Sequence, residues 1–224
     1  EGTARRAKFI YINYPNNPTG AVATKAFYEK LVAWAKTYEV GVVSDLAYGA
    51  LGYQGYENPS FLATPGAKDV GIEFYTFSKT FNMAGNAEMI EALNLIQDHL
   101  FVGIFPALQE AGIAALLDPK SEEAVAQLNA VYDSRRDAFV QAAANIGWQA
   151  FPSRGSFYAW MPVPKGYTSE SFADLLLEKA HVAVAPGKGF GPAGDAYVRI
   201  GLLVEPERLV EAVNRIADLH LFNN

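Results

Sequence analysis

Apolar residues along this chain fall into short dense runs separated by stretches with helical spacing, the pattern of strands alternating with helices. Residues 8–13 form one such run, closed by the Pro and Asn punctuation of positions 15–20, and predict a strand ending in a turn. Thr24 is placed as a helix N-cap, and Phe27, Leu31, Trp34 and Ala35 then recur at helical spacing, so a helix to residue 38 is expected to lay that face on a sheet. Residues 40–44 are almost wholly apolar, the composition of a strand buried on both faces of a parallel sheet. Together they make a βαβ unit. A loop rich in Gly, Pro, Tyr and Asn over 49–68 leads to a further strand at 70–77. Downstream, the spacing predicts helices over 88–102, 106–117, 121–146, 169–180 and 206–219, and strands over 157–161, 182–185 and 197–203. The order gives an α/β fold without internal repeats.

Composition narrows the function. The 224 residues are 50% hydrophobic and 19% charged, enough to bury the core of one large domain or two small ones. A net charge of −6 with no basic run gives no general attraction to nucleic acid or to an anionic membrane surface. Without cysteine there are no disulfides, no thiolate catalysis and no cysteine-ligated zinc, while His99, His181 and His220 lack the spacing of metal ligands. No apolar run reaches the roughly 18 residues of a membrane span, and no secretory leader is visible. The expectation is a cytoplasmic protein acting on small metabolites. Its first residue, Glu1, leads almost directly into a strand, so the chain is expected to begin inside a longer one.

Three strand ends carry candidate chemistry. The first run ends in Tyr14-Pro15-Asn16-Asn17-Pro18-Thr19-Gly20, the second in Ser44-Asp45-Leu46-Ala47-Tyr48, and the third in Thr76-Phe77-Ser78-Lys79-Thr80. In an open α/β sheet, ligands bind beyond the carboxyl ends of the strands, where an amide, a carboxylate with a phenol, and an amine would meet. Near the C-terminus, Arg199 interrupts an otherwise apolar strand, and its planar fork of donors suits a carboxylate. Singly, each has a plain reading: a proline turn, a loop carboxylate, a solvated lysine, a structural ion pair. Their conjunction in this order separates them from chance. Tyr53, Tyr56 and Phe61 are assigned to loop packing and Phe157 to the core. The glycines, Gly85 included, form no phosphate-binding fingerprint.

In sequence these motifs, with Phe77-Ser78-Lys79-Thr80-Phe81-Asn82-Met83-Ala84-Gly85, resemble the class I/II aminotransferases of pyridoxal-phosphate fold type I, and the resemblance runs from about Lys8 to Phe222. The wording is like that of diaminopimelate-type and related bacterial aminotransferases of lysine biosynthesis. The resemblance implies pyridoxal 5'-phosphate as cofactor and Lys79 as its catalytic Schiff-base residue. It further implies Asp45 as partner of the ring nitrogen, Tyr48 and Asn17 at the ring's phenolate oxygen, Ala47 against the ring, Thr76 and Ser78 at the phosphate, and Arg199 at the substrate α-carboxylate. Residues 184–191 correspond to a glycine-rich loop at the substrate entrance. A homodimer acting on amino acids and 2-oxo acids is implied as well.

Two departures stand out. Family members carry a long N-terminal portion ahead of the first strand seen here, and a Trp-Arg pair with a further strand where this chain passes from Gly85 straight to Asn86. The expected architecture is therefore the carboxyl-terminal part of such an enzyme, a mainly parallel sheet with flanking helices plus a small α+β domain. Its units are expected at 1–120 (partial cofactor-binding domain), 121–146 (linking helix) and 147–224 (small domain). Amino transfer is the implied reaction. A carbon-sulfur β-lyase on the same machinery, or a cofactor-free fragment, are the alternatives.

Overall fold

The computed structural model describes residues 4–81, 106–151 and 153–222. The helix expected at 88–102 and the junction of Gly85 with Asn86 lie outside the described residues.

Strands β1 (Phe9–Asn13), β2 (Gly41–Asp45) and β3 (Gly71–Phe74) form a parallel sheet with β2 in the centre, Asn13 opposite Asp45 and Asp45 opposite Phe74. Helix α1 (Lys25–Tyr38) makes the crossover from β1 to β2, and Thr24 caps it by accepting the Phe27 N–H at 3.2 Å. Its buried face is Tyr28, Leu31, Val32 and Ala35. The expected face thus holds at Leu31 and Ala35 but turns away from Phe27, because the Tyr28 ring takes the inner place, edge-on to Phe61 at 5.7 Å.

One correction concerns β2. Val42 and Ser44 are buried, but Gly41, Val43 and Asp45 are only half-buried, so one face is covered and not both. On the second face Phe9, Tyr11, Ile72 and Phe74 are 73%, 64%, 54% and 57% exposed. The third strand is also shorter than expected. Phe77 opens a single helical turn, α2 (Phe77–Thr80), because the Thr76 hydroxyl oxygen accepts the Ser78 N–H at 3.1 Å and caps the turn. Lys79 is therefore held on a helical turn at the end of β3.

Helices α3 (Pro106–Leu117) and α4 (Ser121–Asn145) match their expected spans closely. Beyond them β4 (Tyr158–Pro162), β5 (Ala185–Pro186) and β6 (Tyr197–Gly201) form an antiparallel sheet in the order β4-β6-β5. Helix α5 (Ser169–Leu175) starts in a capping box between Thr168 and Ser171, widens into a π turn over Leu176–Ala180, and stops at His181 in the left-handed region. The Val182 N–H closes that helix end on the Leu176 carbonyl, which is why the strand expected at 182–185 shrinks to two residues. Helix α6 (Pro206–Ala217) buries Leu209, Val213 and Ile216 against this sheet. Trp148, Met161, Phe172 and Leu202 complete the core there.

The two sheets meet through α4. Its Tyr132 joins Tyr48, Leu51, Tyr53 and Phe157 in a third buried cluster, stacking on Phe157 at 5.4 Å. Gly20 ties the first turn to the same junction: its carbonyl accepts the N–H groups of Arg154 and Gly155, and a Cβ there would fall on the Ser153 hydroxyl. With φ at +68° that position suits glycine on both counts. Tyr56 donates to the Ala23 carbonyl at 2.6 Å and Phe61 is wholly buried, so both serve packing, as expected.

Candidate active site

A cavity of about 460 Å³ opens at the carboxyl ends of β1 and β2, lined by Tyr11, Asn13, Asn16, Asn17, Asp45, Ala47 and Tyr48. Four residues singled out in the sequence, Asn17, Asp45, Ala47 and Tyr48, thus share one space. The parallel register is the cause: Asn13 and Asp45 end their strands side by side, and the turn after each strand folds over the gap between them.

Asn13 was not foreseen and organises the floor. Its amide nitrogen donates to the Asp45 main-chain oxygen at 3.1 Å, and its amide oxygen accepts the Asn17 N–H at 2.9 Å. Asn16 braces the turn by accepting the Thr19 N–H and hydroxyl. The Asp45 carboxylate accepts the Ala47 N–H at 3.2 Å on one oxygen and the Tyr11 hydroxyl at 2.6 Å on the other. Tyr11, also unforeseen, shares a sheet face with Asn13 and Asp45. Strict alternation along β1 was the available signal, since positions 9, 11 and 13 must project together.

Arg199 arrives from the other sheet. It donates to the Asn17 side-chain oxygen at 2.8 Å, and its guanidinium carbon lies 4.1 Å from the Tyr158 ring centre and 4.6 Å from that of Phe190. Among the described residues no carboxylate pairs with it. A guanidinium held between two rings, with a neutral amide as its hydrogen-bond partner, is positioned yet uncompensated in charge, which favours an anionic ligand. Phe190 belongs to the glycine-rich loop. There Gly187 and Gly194 serve close backbone approach, because a Cβ on Gly187 would lie 2.2 Å from the Gly194 carbonyl oxygen.

Tyr48 is buried, edge-on to Phe157 at 5.4 Å, and its hydroxyl is pushed to a higher pKa chiefly by burial and then by Tyr158. The phenol stays a donor near neutral pH. Lys79 does not line the cavity. Its Nζ sits 5.6 Å from the centre of the Phe157 ring, the ring that also packs on Tyr48. Phe157 is thus both core, as expected, and the contact surface of the lysine. Thr76 and Ser78 stay outside the cavity lining, the Thr76 hydroxyl oxygen being engaged in capping α2.

The donor set fits the implied cofactor. Asn17 spends its amide oxygen on Arg199, which leaves the NH₂ end as a donor toward an oxygen in the cavity, and Tyr48 offers a second. The fixed carboxylate of Asp45 lines the same space. A space with two neutral donors and an anion suits a ring bearing an oxyanion and a protonated nitrogen.

Parallel sheet, crossover helix and strand-end cavity make an α/β arrangement with its ligand space where two strands end. The family model "Aminotransferase class I and II" matches residues 1–216, and the chain belongs to that family. An L-glutamine–4-(methylsulfanyl)-2-oxobutanoate aminotransferase from Bacillus subtilis is 56% identical over 97% of the chain and 56% of its own length. An LL-diaminopimelate aminotransferase from Moorella thermoacetica is 48% identical over 95% of the chain and 56% of its own length. Among solved structures, an aminotransferase from Staphylococcus aureus superposes with a TM-score of 0.87 at 38% identity, covering all of this chain and 61% of that one. The chain therefore spans little more than half the length of these relatives, and its fold is that part of a fold type I aminotransferase.

Proposed function

We propose that this chain is the carboxyl-terminal part of a pyridoxal-phosphate-dependent aminotransferase that moves an amino group between an L-amino acid and a 2-oxo acid. The observation that carries the reading is the link from Arg199 to Asn17 across the two sheets, which sets a carboxylate-binding cation at the rim of the cavity that Asp45 and Tyr48 line. When bound, the cofactor supplies an electron-withdrawing ring that makes the α-proton of an amino acid labile. Asp45 provides the negative charge that keeps a proton on the ring nitrogen. Asn17 and Tyr48 donate to the ring's oxygen, and Ala47 is small enough to let the ring lie beside it. Thr76 and Ser78 offer hydroxyls to the phosphate, which requires Thr76 to keep its cap while donating its own hydrogen. Arg199 grips the substrate α-carboxylate, fixing the α-carbon. Lys79 would be the base that takes the α-proton and the acid that gives it back.

Residues 1–120 then form part of the cofactor-binding domain, 121–146 the linking helix and 147–224 the small domain, in a cytoplasmic homodimer. The uncovered face of the parallel sheet supports the word "part", since parallel sheets are covered on both faces. The relatives reported above carry aminotransferase names, and nothing in the site favours β-elimination. The test is borohydride treatment of the whole protein incubated with pyridoxal phosphate, followed by peptide mass spectrometry. A phosphopyridoxyl group on Lys79, with amino transfer from glutamine, methionine or diaminopimelate that is lost in Lys79→Ala, is expected. Label on other lysines only, or pyruvate and ammonia released from cysteine conjugates without a 2-oxo acid, would overturn the reading.

A further inference from the structure

We propose that Tyr11 is a positioning residue for Asp45: its hydroxyl locks the carboxylate into the orientation needed to serve the cofactor's ring nitrogen, an inference that rests on the function proposed above. In register Tyr11 stands opposite Val43, so Asp45 is its diagonal neighbour two residues further along β2 on the same face. With strands about 4.8 Å apart and about 3.3 Å of rise per residue, such neighbours in a parallel pair lie roughly 8 Å apart, beyond a short side chain and within reach of a phenol. The hydroxyl closes that distance at 2.6 Å to one carboxylate oxygen, while the Ala47 N–H holds the other at 3.2 Å and Asn13 holds the main-chain oxygen at 3.1 Å. A carboxylate turns easily about its terminal bond; one donor on each oxygen removes that freedom.

Packing does not account for the hydroxyl. Phe9, Ile72 and Phe74 cover the same face with no polar atom, and Tyr11 is itself 64% exposed, so phenylalanine would satisfy the sheet equally well. Among the described residues the hydroxyl has its partner only in Asp45, and both residues line the cavity. The bond also keeps Tyr11 protonated: hydrogen bonding to Asp45, then partial burial, then the carboxylate charge push its pKa up to about 12. Tyr11 therefore acts as a neutral donor and leaves the carboxylate its charge.

Tyr11→Phe in the whole protein separates this role from a structural one. Pyridoxal-phosphate affinity, read by quenching of protein fluorescence, is expected to weaken about 10-fold, the scale of one hydrogen bond to a charged group. The apo-protein melting temperature should stay put, and kcat should fall with little change in the amino-acid KM. A second measurement needs no cofactor. In protein labelled with ¹³Cζ-tyrosine, the resonance absent from Tyr11→Phe should titrate far above the others exposed to solvent, and Asp45→Asn should bring it back toward 10. Unchanged affinity and kcat in Tyr11→Phe overturn the positioning role while the cofactor reading stands. A Tyr11 resonance that Asp45→Asn does not move removes the bond itself. If the wild-type protein takes up no pyridoxal phosphate, the functional reading fails and the positioning role with it, and the titration still reports whether the clamp exists.

Discussion

The antiparallel sheet and the parallel sheet of this chain differ in how far each is finished. Around β4, β5 and β6 the helices α5 and α6 and the end of α4 enclose Trp148, Phe172, Met161, Leu176 and Leu202 almost completely. Among the described residues the β1-β2-β3 sheet is packed on one side only, by α1 and the turn at Phe61, while Phe9, Tyr11, Ile72 and Phe74 face outward. A parallel sheet in a complete α/β protein is buried on both sides. The C-terminal region is thus a closed unit, and the N-terminal region is half of one. Its candidate site lies on the unfinished side of that contrast, with Asp45 and Tyr11 on the open face.

Alkaline pH should separate the two regions most strongly. Burial raises the hydroxyls of Tyr28, in the N-terminal core, and of Tyr48 and Tyr53, at the junction, above the ordinary value near 10. A folded pKa above the unfolded one means that the folded state keeps a proton the unfolded chain would release. The stability this represents is intact below pH 10 and disappears as pH rises through the folded values. Among the described residues no buried member of the C-terminal cluster is a tyrosine. Amide exchange followed above pH 10 should therefore show β1, β2 and α1 losing protection before β4, β6 and α6; simultaneous loss would break the distinction.

Next in size is Trp148→Ala. The ring is 1% exposed, stacks on Phe222 at 5.1 Å, and donates to the Pro162 carbonyl at 2.7 Å. Its removal should cost about 3–5 kcal/mol in urea unfolding, confined to the C-terminal region. A smaller loss, about 1 kcal/mol, is expected from Thr24→Ala, which strips the cap of α1, with the effect read in the N-terminal transition. Smallest of all, Phe74→Ala on the open face should change the stability of the isolated chain by no more than about 0.5 kcal/mol. The same substitution in the whole protein should be clearly more destabilising. Equal effects in the two settings would mean that nothing covers this face.

Much of this was legible in the residues. The Thr24 cap, the crossover helix, α3, the start of α6 at Pro206 and the convergence of Asn17, Asp45 and Tyr48 follow from local pattern and from the rule that parallel strands end together. The Lys79 motif is legible in the residues, and so in principle is the local Thr76 cap that ends the strand before it; the contact of Lys79 with Phe157 is not, because it joins positions far apart in the chain. Alternation along β1 groups Tyr11 and Asn13 on one face, but that this face is the one that points to the site depends on the register with β2, which a single sequence does not carry.

What the sequence determined by itself is the chemistry and its order: an amide, an acid with a phenol, an amine and an arginine, each after or within a strand, with periodicities that build an α/β chain. That follows because side-chain period and capping act over a few residues, within reach of local inspection. Tertiary structure alone decided that β2 is covered on one face, that Arg199 crosses to Asn17 and that Tyr11 reaches the Asp45 carboxylate. The last two are contacts between positions 182 and 34 residues apart, whose geometry is fixed only when both sheets have closed on their helices.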